Sequence, residues 1–145
     1  MSTNVGNILI TTDDLKKVRP DIEDYLFEVE GQTDFSDQVE SANREEYRNI
    51  SKQLRLEYPE YTEAEIGELI AKIKDHDVEK TLYDRRVLLA LAHIFNVNMQ
   101  LPESDYYRQR AYDIPMRYYI DHNDDDVQAT DETRDLEPKA ITFGR

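Results

Sequence analysis

Val87-Leu88-Leu89-Ala90-Leu91-Ala92-His93-Ile94-Phe95 decides the fold. Wound as a helix, this run is apolar on nearly all sides, and a helix apolar all round has to be enclosed by other elements. The stretch before it carries the amphipathic pattern Val78, Leu82, Tyr83, so the spacing predicts one helix over Val78–Asn96 at the centre of the molecule. Everything else is read as what packs around it.

Upstream, Phe35, Val39, Ala42, Ile50, Leu54 and Tyr58 recur at spacings of three and four or their sums, with Glu46 interrupting, which predicts a long amphipathic helix. Asp34 or Ser36 caps its start and Pro59 closes it. Thr62 with Glu65 three residues on is a capping box, and Ile66, Leu69, Ile70 and Ile73 form one face of the helix it opens, ending near Asp75-His76-Asp77. Nearer the N-terminus, Thr11-Thr12-Asp13-Asp14 starts a brief helix that Pro20 stops. A further turn follows over Asp21–Phe27, and Gly31 ends the region. Downstream, Pro102-Glu103-Ser104-Asp105 starts a last helix carrying Tyr107, Ala111, Ile114 and Tyr118 on one side and kinked at Pro115. The fold class is therefore all-α: a small bundle of about four to five helices around a central apolar one.

Length and composition agree. The 145 residues make one domain with room for a tail. Residues 1–126 read as the helical body. Residues 127–145 carry no helical stripe and read as an extended C-terminal arm, which at ~3.3 Å per residue reaches about 60 Å. The longest apolar run is far short of a membrane span and residues 1–10 lack a basic leader, so the expected product is soluble, made in a cytoplasm and without a membrane partner.

Eighteen basic and 32 acidic residues give a net charge of −14, which argues against a face that grips nucleic acid or anionic lipid. The absence of cysteine excludes disulfides, Cys-ligated metals and thiol catalysis. His76, His93 and His122 form no paired ligand spacing, and the phosphate-binding, zinc-protease and serine-nucleophile motifs are missing. His93, inside the apolar run, reads as a hydrogen-bonded core histidine. No catalytic residue, cofactor or metal is expected. Asp121 through Glu132 places oxygens at calcium-loop positions 1, 3, 5 and 12, but Asp126 replaces the turn glycine, Gln128 replaces an apolar residue and no second helix follows. It reads as an acidic helix stop. The Tyr/Arg-rich last helix reads as a subunit or partner contact through Tyr106, Arg110, Arg117 and Tyr119.

Taken in order, Thr12-Asp13-Asp14-Leu15, Asp34-Phe35-Ser36-Asp37, Tyr83-Asp84-Arg85-Arg86 running into the apolar helix, the Tyr/Arg-rich helix and Asp121-His122-Asn123-Asp124-Asp125-Asp126 before an extended tail resemble the small helical head–tail connector (adaptor, or head-completion) proteins of tailed bacteriophages. That resemblance implies a virion protein assembled in the bacterial cytoplasm. It implies a homo-oligomeric ring of about twelve copies between the portal protein and a downstream tail or stopper protein. DNA would pass through its channel during packaging and ejection without specific binding. The docking arm onto the portal would be Val127–Arg145, with Leu136, Pro138, Ile141, Phe143 and Arg145 as its contacts. Ile141 and Phe143 alternate, so in an extended strand they point the same way. The acidity has a competing reading: a DNA mimic that inhibits a DNA-binding host defence protein. That reading requires a regular exposed stripe of acid.

Overall fold

In the computed structural model, which describes residues 4–26 and 34–121 and the backbone of residues 133–136, the apolar run is the middle of helix α4 (Thr81–Val97). Among the described residues, four more α-helices precede or follow it: α1 (Thr12–Val18), α2 (Ser36–Glu57), α3 (Glu63–Ala71) and α5 (Leu101–Asp113). Helix α4 packs between α2 and α5, and Leu82, Leu89, Ala90, Leu91, Ala92, Ile94 and Phe95 on it are fully buried. The molecule is mostly helical, as the patterning predicts.

Local signals set the helix starts. Thr11 and Asp14 form a reciprocal capping box for α1, and Thr62 and Glu65 form the one expected for α3. Asp34 accepts the Ser36 N–H and hydroxyl before α2. After Pro20, a 3-10 turn at Ile22–Tyr25 is pinned by Arg19, whose guanidinium lies 4.9 Å from the Phe95 ring centre and donates to the Tyr107 hydroxyl.

The departure from an all-helical bundle is a small antiparallel sheet of β1 (Ile73–Asp75), β2 (Met116–Ile120) and β3 (Thr133–Leu136), in that order. The last helix does not kink at Pro115; it ends at Asp113. Pro115 has no N–H for the Ala111 carbonyl, and Ile114 before it takes an extended conformation, so the chain leaves the helix and enters β2. The helix containing Ile66, Leu69 and Ile70 likewise stops at Ala71, and Ile73 pairs with Ile120 across the sheet. Strand β3, expected within an arm reaching to a neighbour, lies along β2 of its own chain, with Leu136 opposite Met116.

Helix α4 begins three residues later than its apolar pattern, and Val78 is 82% exposed. Lys80 sits in the left-handed region at φ 49°, and Asp75 on β1 supplies the missing cap from a distance. Its carboxylate accepts the N–H groups of Leu82 at 2.9 Å and Tyr83 at 3.0 Å. Burial raises the Asp75 pKa despite these bonds. Replacing Asp75 by alanine strands two helix-start donors and is expected to cost about 1–2 kcal/mol in urea unfolding, with Asp75→Asn costing less than half of that.

Candidate functional site

The first half of α2 buries part of its polar surface. Asn43, Glu45 and Glu46 are buried, and each meets a cation or a histidine from α4 or α5. Glu46, which interrupts the apolar stripe, forms a two-pronged ion pair with Arg85 (Nε to Oε1 2.6 Å, Nη2 to Oε2 3.1 Å) in which neither side chain has any exposed surface. Arg85 also donates to the carbonyls of Ala111 and Ile114, both at 2.9 Å, and so satisfies the end of α5 that Pro115 leaves open. Arg86 turns the other way. It donates to Asn43 Oδ1 at 2.6 Å, Asn4 Oδ1 at 3.4 Å and the Val5 carbonyl at 3.2 Å, tying the N-terminal segment to α2 and α4.

Glu45 gathers a second set of donors: His93 Nε2 at 2.8 Å, Arg108 Nε and Nη2 at 3.2 and 3.1 Å, and the Tyr112 hydroxyl. His93 is therefore hydrogen-bonded at the edge of the core. Burial alone would raise the Glu45 carboxyl, but the bonds from His93, Arg108 and Tyr112 outweigh it and hold the pKa well below the usual carboxylate range. Burial and the Glu45 carboxylate push Tyr112 up to about 12. Asn49 joins the two sets, donating to Glu46 and to the Tyr112 hydroxyl at 3.3 Å each. A carboxylate saturated in this way is a poor proton acceptor, and its chemistry is to lock α2, α4 and α5 together.

The four residues expected to form one contact face are split between two elements. Tyr106 and Arg110 share the outer side of α5, both exposed, with the guanidinium 5.5 Å from the ring centre. Arg117 and Tyr119 are carried away onto β2. There Tyr119 is 2% exposed, and Arg117 pairs with Glu79 while its backbone exchanges two bonds with the Thr81 hydroxyl. The correction at Tyr119 follows from the helix ending at Asp113. Of the docking-arm residues, Leu136 is placed in β3, and Pro138, Ile141, Phe143 and Arg145 lie outside the described residues, as does the proposed boundary at residues 126 and 127. Asp121 is buried, its N–H donating to the Lys72 carbonyl, and the remainder of the acidic turn through Glu132 lies outside the described residues. Among the described residues no group of three or more His, Asp or Glu side chains is placed to hold a metal ion, and no helix is long and apolar enough to cross a membrane.

What the surface offers partners is shape and hydrophobicity. The α4–α5 corner exposes Val97, Met99 and Leu101, with Met99 at φ 62° and Asn98 pinning the turn through the carbonyls of Tyr25 and Ile94. On another side, a groove of about 520 Å³ runs between the N-terminal segment Asn4–Asn7 and α3. The groove has no signature in residue spacing, because it is made by segments distant in sequence. No family model, curated protein or solved structure matches the chain.

Proposed function

We propose that the protein is a structural component of a tailed-phage virion, forming a ring between portal and tail and docking to the portal through its C-terminal residues. The observation that carries this reading is a separation of charge. The last eight residues, Pro138–Arg145, hold Lys139 and Arg145 and no acid, so their +2 leaves −16 for the other 137 residues. An acidic body whose inner cations are tied to its own carboxylates and carbonyls repels duplex phosphates within about 8–10 Å, a useful property for a conduit. A tip with Ile141, Phe143 and Arg145 suits an apolar pocket with an acidic rim. The outer side of α5 mixes Tyr106, Arg110 and Asp113 rather than presenting a stripe of acid, which favours the connector over the DNA mimic.

The test is light scattering after size exclusion, with the protein alone and mixed with purified portal protein from the same phage genome. The full chain is expected to co-elute with the portal, and deletion of residues 137–145 is expected to abolish co-elution while leaving the far-UV helical signal intact. Undiminished portal binding by the shortened chain overturns the docking arm. Capture of a DNA-binding defence protein, competed by duplex DNA, would replace the connector with the mimic.

A further inference from the structure

Net charge is a sum, and folding sorts its parts. Helix α2 carries Arg44, Arg48, Lys52 and Arg55 at spacings of four, four and three, which puts all of its cations on one face. Between residues 41 and 55 these four are the exposed residues of the helix; the rest are buried or half-buried. The acids of the same stretch, Glu45 and Glu46, are buried and bound to His93, Arg108 and Arg85. A strongly acidic chain thus turns a row of cations, unmixed with acid, toward solvent.

The row is open at its middle. Arg44 lies 3.9 Å from Glu40 at one end, and Arg55 is paired with Glu63 of α3 at the other. The side chains of Arg48 and Lys52 make no ion pair or hydrogen bond among the described residues. From Arg44 to Lys52 the row spans roughly 12 Å at 1.5 Å of rise per residue. Screening confines a charge's reach to about 8 Å at physiological salt. An anion touching the row therefore answers to the charges beside it more than to the total of −14.

We infer that this row is a contact for the phosphate backbone of duplex nucleic acid, engaged through Arg44, Arg48 and Lys52. A duplex carries one charge per ~1.7 Å of axis, so along the row a phosphate comes within reach of each flexible cation. A protein partner needs an apolar or aromatic anchor at the centre of the contact, and a membrane surface needs an apolar face beside the cations. The row exposes neither between residues 41 and 55, and Leu56 lies past the paired Arg55. Cations alone touch phosphates and read no bases, so the contact is independent of sequence. The inference does not rest on the connector reading. In a conduit it supplies a weak guiding strip on an acidic body, in keeping with DNA that passes without specific binding.

Fluorescence anisotropy of a labelled short duplex titrated with the full chain tests this. The wild type is expected to bind with a Kd on the order of 10⁻⁵ M at about 50 mM salt, and more weakly as salt rises. Arg48→Gln and Lys52→Gln should each weaken binding several-fold and each reduce the magnitude of the slope of log K against log salt by about 1. Lys72→Gln removes the same charge from an exposed residue outside α2 and should change neither quantity. All three side chains are exposed, so the far-UV signal of each variant should match the wild type. A second duplex of unrelated sequence should bind within about twofold of the first. A wild type that does not bind at about 50 mM salt overturns the proposal. So do Arg48→Gln and Lys52→Gln if they behave as Lys72→Gln does. Polyglutamate of equal charge that competes as well as unlabelled duplex also overturns it, and assigns the row to an acidic protein surface. Portal co-elution is read independently, so either idea can fail without the other.

Discussion

Replacing Arg85 by methionine is expected to lower the unfolding free energy by about 3–5 kcal/mol, a large part of the ~5–15 kcal/mol typical of a domain. Arg85 and Glu46 are both without exposed surface, and the guanidinium also serves the Ala111 and Ile114 carbonyls. Its loss leaves the buried Glu46 carboxylate without its counter-charge and removes one donor from each of the Ala111 and Ile114 carbonyls at the end of α5. Guanidinium chloride unfolding at pH 7 measures the effect. The double variant Arg85→Met with Glu46→Leu should recover most of the loss, because a well-packed apolar pair removes the stranded charge instead of leaving it. A single variant within 1 kcal/mol of wild type would mean that Glu46 has another counter-charge or reaches water.

Glu45 sets the second large effect, and its sign is fixed. Its folded pKa lies below the value of 4.5 for a free glutamate, so the ionised form is favoured by folding. The stability it contributes is fully present above about pH 4.5 and drains away as pH falls toward the depressed folded value. Glu45→Gln removes the charge that His93, Arg108 and Tyr112 converge on. It should cost about 2–3 kcal/mol at pH 7. Urea titrations between pH 7 and pH 2 should show the wild-type and Glu45→Gln stabilities converging through the acid range. Parallel curves would mean that the carboxylate titrates as an ordinary surface group.

Elements whose signals are local were legible in the sequence. The helix-start signal at Thr11–Asp14, the capping box at Thr62 and the all-round apolarity of α4 each sit within one stretch of chain, and the structure places them as read. The end of α5 was harder. Tyr107, Ala111, Ile114 and Tyr118 keep helical spacing across Pro115, and that periodicity masks the two features that decide the matter. One is the extended preference of the residue before a proline; the other is the β-favouring run Met116-Arg117-Tyr118-Tyr119-Ile120. The buried ion pair was not legible at all. Charged residues are rarely interior, and the partner of Arg85 is 39 positions away on another helix. The groove beside α3 was hidden for the same reason, since it exists only once Asn4–Asn7 is laid against that helix.

The pairing of β3 with β2 has a mechanical consequence. Tension applied to β3 along its own axis loads the interstrand bonds sideways and together, not one after another as in unzipping. The Thr81 hydroxyl, clasping both backbone groups of Arg117, hands that load from the sheet to the start of α4. A tug on the last residues is thereby borne by the most deeply enclosed helix of the protein.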